Sequence, residues 1–80
     1  MKRKLKMRLL IIDVEIRRSS IYWNAGQERK GIKIQYKAER MIREATDNEL
    51  KKMIDYAMEH KLHCSNALIV KWNEREGGAE

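Results

Sequence analysis

Two carboxylates, Asp13 and Glu15, lie two residues apart within the apolar run Ile-Ile-Asp-Val-Glu-Ile of residues 11–16. Carboxylate oxygens are ligands for divalent cations, and two carboxylates on one strand face can share a metal that activates water. The same alternation of apolar and polar residues is typical of an amphipathic strand whose polar side faces water. We interpret Asp13 and Glu15 as that solvated face, and we predict neither a metal site nor a catalytic residue here.

A second group of reactive side chains comprises His60, His63 and Cys64. Imidazole and thiolate are good ligands for transition metals, but a closed zinc site needs four ligands and the chain has one cysteine. A thiol nucleophile needs a positioned base and a third group that orients this base. We interpret Cys64 as a small buried side chain and His60 as a residue at a helix C-terminus. We predict no cofactor and no enzymatic activity.

Positive charge is concentrated in the first half of the chain. Residues 1–44 contain 13 Lys and Arg against 5 Asp and Glu, whereas residues 45–80 contain 5 against 7, which gives the net charge of +6. Cations neutralise phosphates, and exposed aromatic rings stack on bases. The predicted nucleic-acid-binding residues are Arg17, Arg18, Tyr22, Arg29, Lys30, Lys33 and Lys37. Arg40 and Arg43 extend this basic stretch, while Trp23 and Tyr36 are predicted to face the core.

These charges predict a small basic protein that contacts DNA or RNA through a β-hairpin. The alternative is an inhibitor or adaptor that binds a protein with an acidic surface, as phage antagonists of CRISPR nucleases do. The segment Arg-Glu-Gly-Gly-Ala-Glu, residues 75–80, can be encoded by a purine-rich run containing a ribosome-binding sequence, which indicates a compact bacterial, phage or mobile-element operon. The single cysteine favours a reducing cytoplasm. Because the core of an 80-residue chain is small, a homodimer is a further possibility.

The elements that would position these residues can be predicted from hydrophobic spacing. Apolar residues at steps of three and four predict a helix from Thr46 to Leu62, with Thr46 and Glu49 forming a capping box. Alternating apolar residues predict strands within Leu5–Trp23 and Ile32–Ala38, joined by a loop at residues 24–30. Spacing through Leu5, Leu9, Ile12 and Ile16 also fits a helix, but the Ile and Val content favours strand.

A third strand is predicted at Ala67–Trp72, which is short, apolar and rich in β-branched residues. The order is then β-β-α-β, an α+β fold with one helix on a small, mainly antiparallel sheet. We predict one domain over residues 1–72 and a disordered tail over residues 73–80. No stretch approaches the ~20 apolar residues that a membrane-spanning helix needs, so we expect no membrane partner.

Overall fold

The computed structural model describes residues 1–77, and in this range the chain forms helices and no strand. The four helices are α1 (Arg3–Asn24), α2 (Glu28–Glu44), α3 (Asp47–Glu59) and α4 (Ser65–Gly77). The predicted α+β fold, with its antiparallel sheet and β-β-α-β order, is therefore wrong. The physical reasons differ from helix to helix.

Helix α1 carries apolar residues on two sides, and for this reason Leu5–Trp23 was wrongly predicted to form strands. Leu5, Leu9 and Ile12 are buried in the core, at the helical spacing of four and three. Leu10 and Val14 lie between these positions and are exposed on the other side of the helix. The combined sequence alternates as a strand would, but packing against the other helices selects the 3.6-residue period.

Helix α2 was predicted as a strand because Ile32, Ile34, Tyr36 and Ala38 alternate with polar residues. In the folded chain the buried positions of α2 are Gly31, Ala38 and Ile42, while Ile32 is exposed. Small buried residues contribute little to a hydrophobic pattern, so the larger, exposed apolar residues dominated the prediction. The predicted hairpin loop is a tight helix–helix turn that ends before Glu28, with Gly26 at a φ of 78°. There is thus no basic β-hairpin among residues 1–77.

The close approach of α1 and α2 depends on Gly31. The Ser19 hydroxyl donates a hydrogen bond of 2.9 Å to the carbonyl oxygen of Gly31. A Cβ atom at Gly31 would lie 2.7 Å from Cδ1 of Trp23, closer than van der Waals contact allows. Glycine at this position therefore lets the backbone of α2 approach the side chains of α1.

The helix predicted from Thr46 is confirmed, including its capping box. The backbone N–H of Glu49 donates to Oγ1 of Thr46 at 3.1 Å, and the N–H of Thr46 donates to Oε1 of Glu49 at 2.9 Å. The bond from the Thr46 N–H is the main cause of a lowered pKa of the Glu49 carboxyl. The helix ends at Glu59 and not at Leu62.

Helix α4 replaces the third predicted strand, Ala67–Trp72, and extends further than predicted. The predicted disordered tail is wrong for residues 73–77, which continue α4, and residues 78–80 lie outside the described part of the chain. Arg75, in the last turn of α4, closes the fold. Its guanidinium donates to the carbonyl oxygens of Ile42, Arg43 and Ala45 at 2.8–3.2 Å and pairs with Asp47 at 2.8 Å.

The four helices form a small bundle in which each has two principal neighbours. Helix α1 packs on α2 and α3, and α4 packs on α3 and α2. The core between them contains Leu5, Leu9, Ile12, Ile42, Ala45, Leu50, Met53, Ala57, Cys64 and Leu68. Because α1 and α2 each have neighbours on one side only, each turns its opposite side toward solvent.

Candidate nucleic-acid interface

The solvent side of α2 carries a row of exposed cations. Lys33, Tyr36, Lys37, Arg40 and Arg43 line one shallow groove, at the three- and four-residue spacing that places side chains on one side of a helix. Arg29 and Lys30 continue the surface at the N-terminal end of the same helix. We call these seven residues the cationic face of α2. The face exists because the core side of the helix is occupied by Gly31, Ala38 and Ile42.

The cations of this face are not neutralised by the protein itself. The six Lys and Arg side chains of the face are all exposed, and none has a carboxylate within ion-pair distance among residues 1–77. The acidic residues of α2 do not pair with them: Glu39, for example, accepts a hydrogen bond from Gln35. An unpaired row of cations on one helix produces a local positive potential that favours an anionic partner.

Arg17 and Arg18, which were also predicted to bind nucleic acid, lie on α1 and each pairs with a carboxylate. Nε of Arg17 lies 3.3 Å from Oδ2 of Asp13, and a guanidinium nitrogen of Arg18 lies 3.1 Å from Oε1 of Glu15. Both carboxylates are buried, so the charge of each arginine is compensated where it stands. The structure thus brings together Arg29, Lys30, Lys33 and Lys37 of the predicted residues, and leaves Arg17 and Arg18 on a separate helix.

The exposure of the aromatic residues is the reverse of the prediction. Tyr36, predicted in the core, is 63% exposed in the middle of the cationic face, and Trp23 is 41% exposed. Tyr22 is half-buried, and Nζ of Lys30 lies 5.8 Å from the centre of its ring. The prediction assumed strand alternation, under which Tyr22 and Trp23 point to opposite sides. If a helix had been predicted here, helical spacing from Lys33 would have placed Tyr36 and Arg40 on the same side as the other cations.

Asp13 and Glu15 are not the solvated face that the sequence suggested. Both are buried, and because residues two apart on a helix point in different directions, they meet different partners. Oδ1 of Asp13 accepts a hydrogen bond of 3.0 Å from the backbone N–H of Cys64, while Glu15 pairs with Arg18. These contacts join α1 to the residue before α4 and to the next turn of α1 itself. The described residues contain no group of three or more His, Cys, Asp or Glu side chains placed to hold a metal.

Cys64 is buried, as its sequence context predicted. Burial, followed by the neighbouring Asp13 carboxylate, raises the pKa of the Cys64 thiol to about 12. The thiol therefore stays protonated at neutral pH, which makes it a poor nucleophile. His60 lies at the end of α3 with its ring 4.1 Å from that of Tyr56, an arrangement that involves packing and no thiol.

Comparison of the chain with protein-family models, with curated proteins and with solved structures gives no significant match. Within residues 1–77, every helix is too short or too polar to cross a lipid bilayer. The cationic face of α2 and its surroundings are therefore the features of the molecule that bear on function.

Proposed function

We propose that this protein binds nucleic acid through the cationic face of α2, contacting phosphates without reading the base sequence. The observation that carries the proposal is the row of six exposed cations on α2 that have no carboxylate partner among the described residues. A protein that merely needed solubility would gain more from interspersed charges of both signs.

The dimensions of α2 suit a nucleic-acid duplex. Arg29 and Arg43 are fourteen residues apart, and at about 1.5 Å per residue the face extends roughly 21 Å. This length corresponds to about six base-pair steps at 3.4 Å each. A single helix also fits the major groove of B-DNA, which is about 12 Å wide. The proposal does not need insertion into the groove, because contacts to phosphates along its edge suffice for binding.

Tyr36 provides a way to distinguish duplex from single-stranded ligands. Its ring is exposed in the same groove as Lys33 and Lys37, where an unpaired base can stack while the lysines neutralise adjacent phosphates. Paired bases in a duplex do not offer their faces to a side chain. Replacement of Tyr36 by Ala should therefore weaken binding to single strands more than binding to duplexes.

The test measures how the affinity for a short DNA duplex depends on salt. Each phosphate contact contributes about −0.9 to the slope of log K against log salt, so the double variant Lys33→Gln/Lys37→Gln should flatten the slope by about 2. The matched control is Lys51→Gln/Lys52→Gln on α3, which removes the same charge from exposed lysines elsewhere. Fluorescence anisotropy over a salt series gives both slopes.

Two outcomes would contradict the proposal. Equal changes of slope in the α2 and α3 variants would mean that overall charge, and no particular face, attracts the ligand. Displacement of the DNA by polyglutamate at the same charge concentration would indicate that the face recognises an acidic protein surface. That second outcome would favour the inhibitor or adaptor function, because carboxylates would then serve as well as phosphates.

A further inference from the structure

The side of α1 that faces away from the core combines apolar and cationic side chains and has no exposed carboxylate. The helix contains two acidic residues, Asp13 and Glu15, and both are buried. Glu15 borders a shallow depression in the middle of the helix and is paired there with an arginine. The other residues that line this depression are apolar and 41–55% exposed, and we call them the outer stripe of α1: Met7, Leu10, Ile11 and Val14.

Cations lie at both ends of the outer stripe. Arg3 and Lys4 come seven residues before its two central members, and Arg17 and Arg18 come seven residues after them. Seven residues are close to two helical turns, so all four cations lie on the same side of α1 as the stripe, and all four are exposed. Arg3 and Lys4 have no carboxylate within ion-pair distance in the described chain. The N-terminal end of this surface therefore carries positive charge that the protein does not compensate.

We propose that the outer stripe of α1 binds the surface of an anionic lipid bilayer, with α1 lying in the plane of the headgroups. Charge complementarity identifies this partner, because the aliphatic centre suits the boundary of the acyl chains and the cations at its ends suit lipid phosphates. The long apolar stems of Arg and Lys let the centre of the surface enter the bilayer while their charges stay at the level of the headgroups.

The composition of this surface favours lipid over other partners. A second copy of the chain would bring cations against cations, which repel each other. A nucleic acid would use the cations and leave the aliphatic side chains without a partner. Protein interfaces depend on aromatic and arginine side chains seated in pockets, whereas the outer stripe has no aromatic residue and its depression is shallow. A fluid bilayer needs neither a pocket nor a matched polar group.

A helix that lies at the bilayer surface need not be long enough to cross it. The expectation of no membrane partner considered spanning helices only, and this proposal departs from it. Because the stripe has only four half-exposed side chains, we expect weak, reversible binding that requires anionic lipid. The inference does not depend on the proposed function, which concerns α2. Anionic lipid would also attract the cationic face of α2, so the test has to separate the two helices.

Sedimentation with lipid vesicles tests the binding and its location. The protein should bind vesicles made of equal parts of phosphatidylglycerol and phosphatidylcholine, and should not bind phosphatidylcholine alone. Arg3→Gln/Lys4→Gln should weaken binding by about 25-fold, since each basic residue near an anionic surface contributes about fivefold. Lys51→Gln/Lys52→Gln on α3 removes the same charge and should have a much smaller effect.

A fluorescent probe tests whether the outer stripe enters the bilayer. An environment-sensitive dye on Met7→Cys should shift its emission to shorter wavelength when anionic vesicles are added. The matched control is Met58→Cys on α3, because Met58 is 58% exposed and Met7 is 55% exposed, and its dye should not respond. Native Cys64 is buried and does not compete for the dye. Met7→Asp, checked for folding by circular dichroism, should weaken vesicle binding by about tenfold or more.

Several results would overturn the proposal. One is a protein that binds neither kind of vesicle, and another is a bound protein whose Met7 probe stays in water. Loss of vesicle binding in Lys33→Gln/Lys37→Gln alone would place the lipid contact on α2. A dimer that Met7→Asp dissociates, without vesicle binding, would assign the stripe to a second copy. Weaker DNA binding by Met7→Asp, with unchanged vesicle binding, would assign it to the nucleic-acid surface.

Discussion

Asp13 connects α1 to the start of α4, and its replacement should cost more stability than any exposed acidic residue. Its Oδ1 accepts from the N–H of Cys64 at 3.0 Å, directly before α4, and its Oδ2 pairs with Arg17. The carbonyl of Cys64 in turn accepts the first helical bond of α4 from the Leu68 N–H. Asp13 therefore accepts a hydrogen bond from the backbone N–H of the residue that precedes α4, as Glu49 does for α3, although Asp13 belongs to another helix.

The expected cost of Asp13→Ala can be built from these contacts. Leaving the buried N–H of Cys64 without an acceptor costs about 1–3 kcal/mol. The lost pair with Arg17 adds roughly 0.5 kcal/mol, because the arginine side chain is 51% exposed and regains water. A total of about 1.5–3.5 kcal/mol is large beside the ~4–12 kcal/mol expected for an 80-residue domain. It corresponds to a fall in Tm of roughly 6–28 °C.

Urea denaturation followed by far-UV circular dichroism measures the free energy of unfolding of three variants. Asp13→Asn keeps an oxygen acceptor for the Cys64 N–H and should cost only about 1 kcal/mol. Asp55→Ala is the control, because Asp55 is exposed on α3. If Asp13→Ala is no more destabilising than Asp55→Ala, or if Asp13→Asn costs as much as Asp13→Ala, Asp13 does not stabilise the start of α4 through its carboxylate oxygen.

Two further predictions concern the helix contact at Gly31 and the buried thiol. Gly31→Ala should destabilise by about 1 kcal/mol in spite of the better helix propensity of alanine, because the new Cβ meets Trp23 at 2.7 Å. In a Trp23→Ala background the same substitution should become stabilising, because the side chain that the new Cβ would meet is gone. Thermal unfolding of the parent protein, the two single variants and the double variant measures both effects, and destabilisation by Gly31→Ala in both backgrounds would contradict the prediction. Stability should also fall as pH rises from about 9 to about 12, since the thiol of Cys64 ionises near pH 9.0 when unfolded and near 12 when folded. The slope should approach about 1.4 kcal/mol per pH unit, the value for one proton. A Cys64→Ala protein with an equally steep alkaline decline would show that lysines and tyrosines account for all of it.

The part of the fold that the sequence predicted correctly is the part whose signals are local. The capping box of Thr46 and Glu49 and the buried positions Leu50, Met53 and Ala57 agree with the structure. A capping box is a contact between residues three apart, and a single apolar stripe has one period. Neither depends on how the rest of the chain packs.

The remaining helices could not be predicted in this way because their decisive contacts are distant in sequence. Helix α2 buries Gly31 and Ala38, which carry almost no hydrophobic signal, against a partner that packing alone supplies. Its exposed Ile32 and Tyr36 then imitate the alternation of a strand. The charge count located the basic half of the chain, but only the helical spacing shows which cations share one surface. Tyr36, Arg40 and Arg43 joined the candidate site for that reason.

The bonds made by Arg75 affect the order in which the parts of the chain fold. Its guanidinium holds three carbonyl oxygens at the end of α2 and the Asp47 carboxylate at the start of α3. A ribosome synthesises all of those groups some thirty residues before it adds Arg75. During translation the end of α2 and the start of α3 therefore lack these bonds until Arg75 has emerged, so this part of the bundle is completed last.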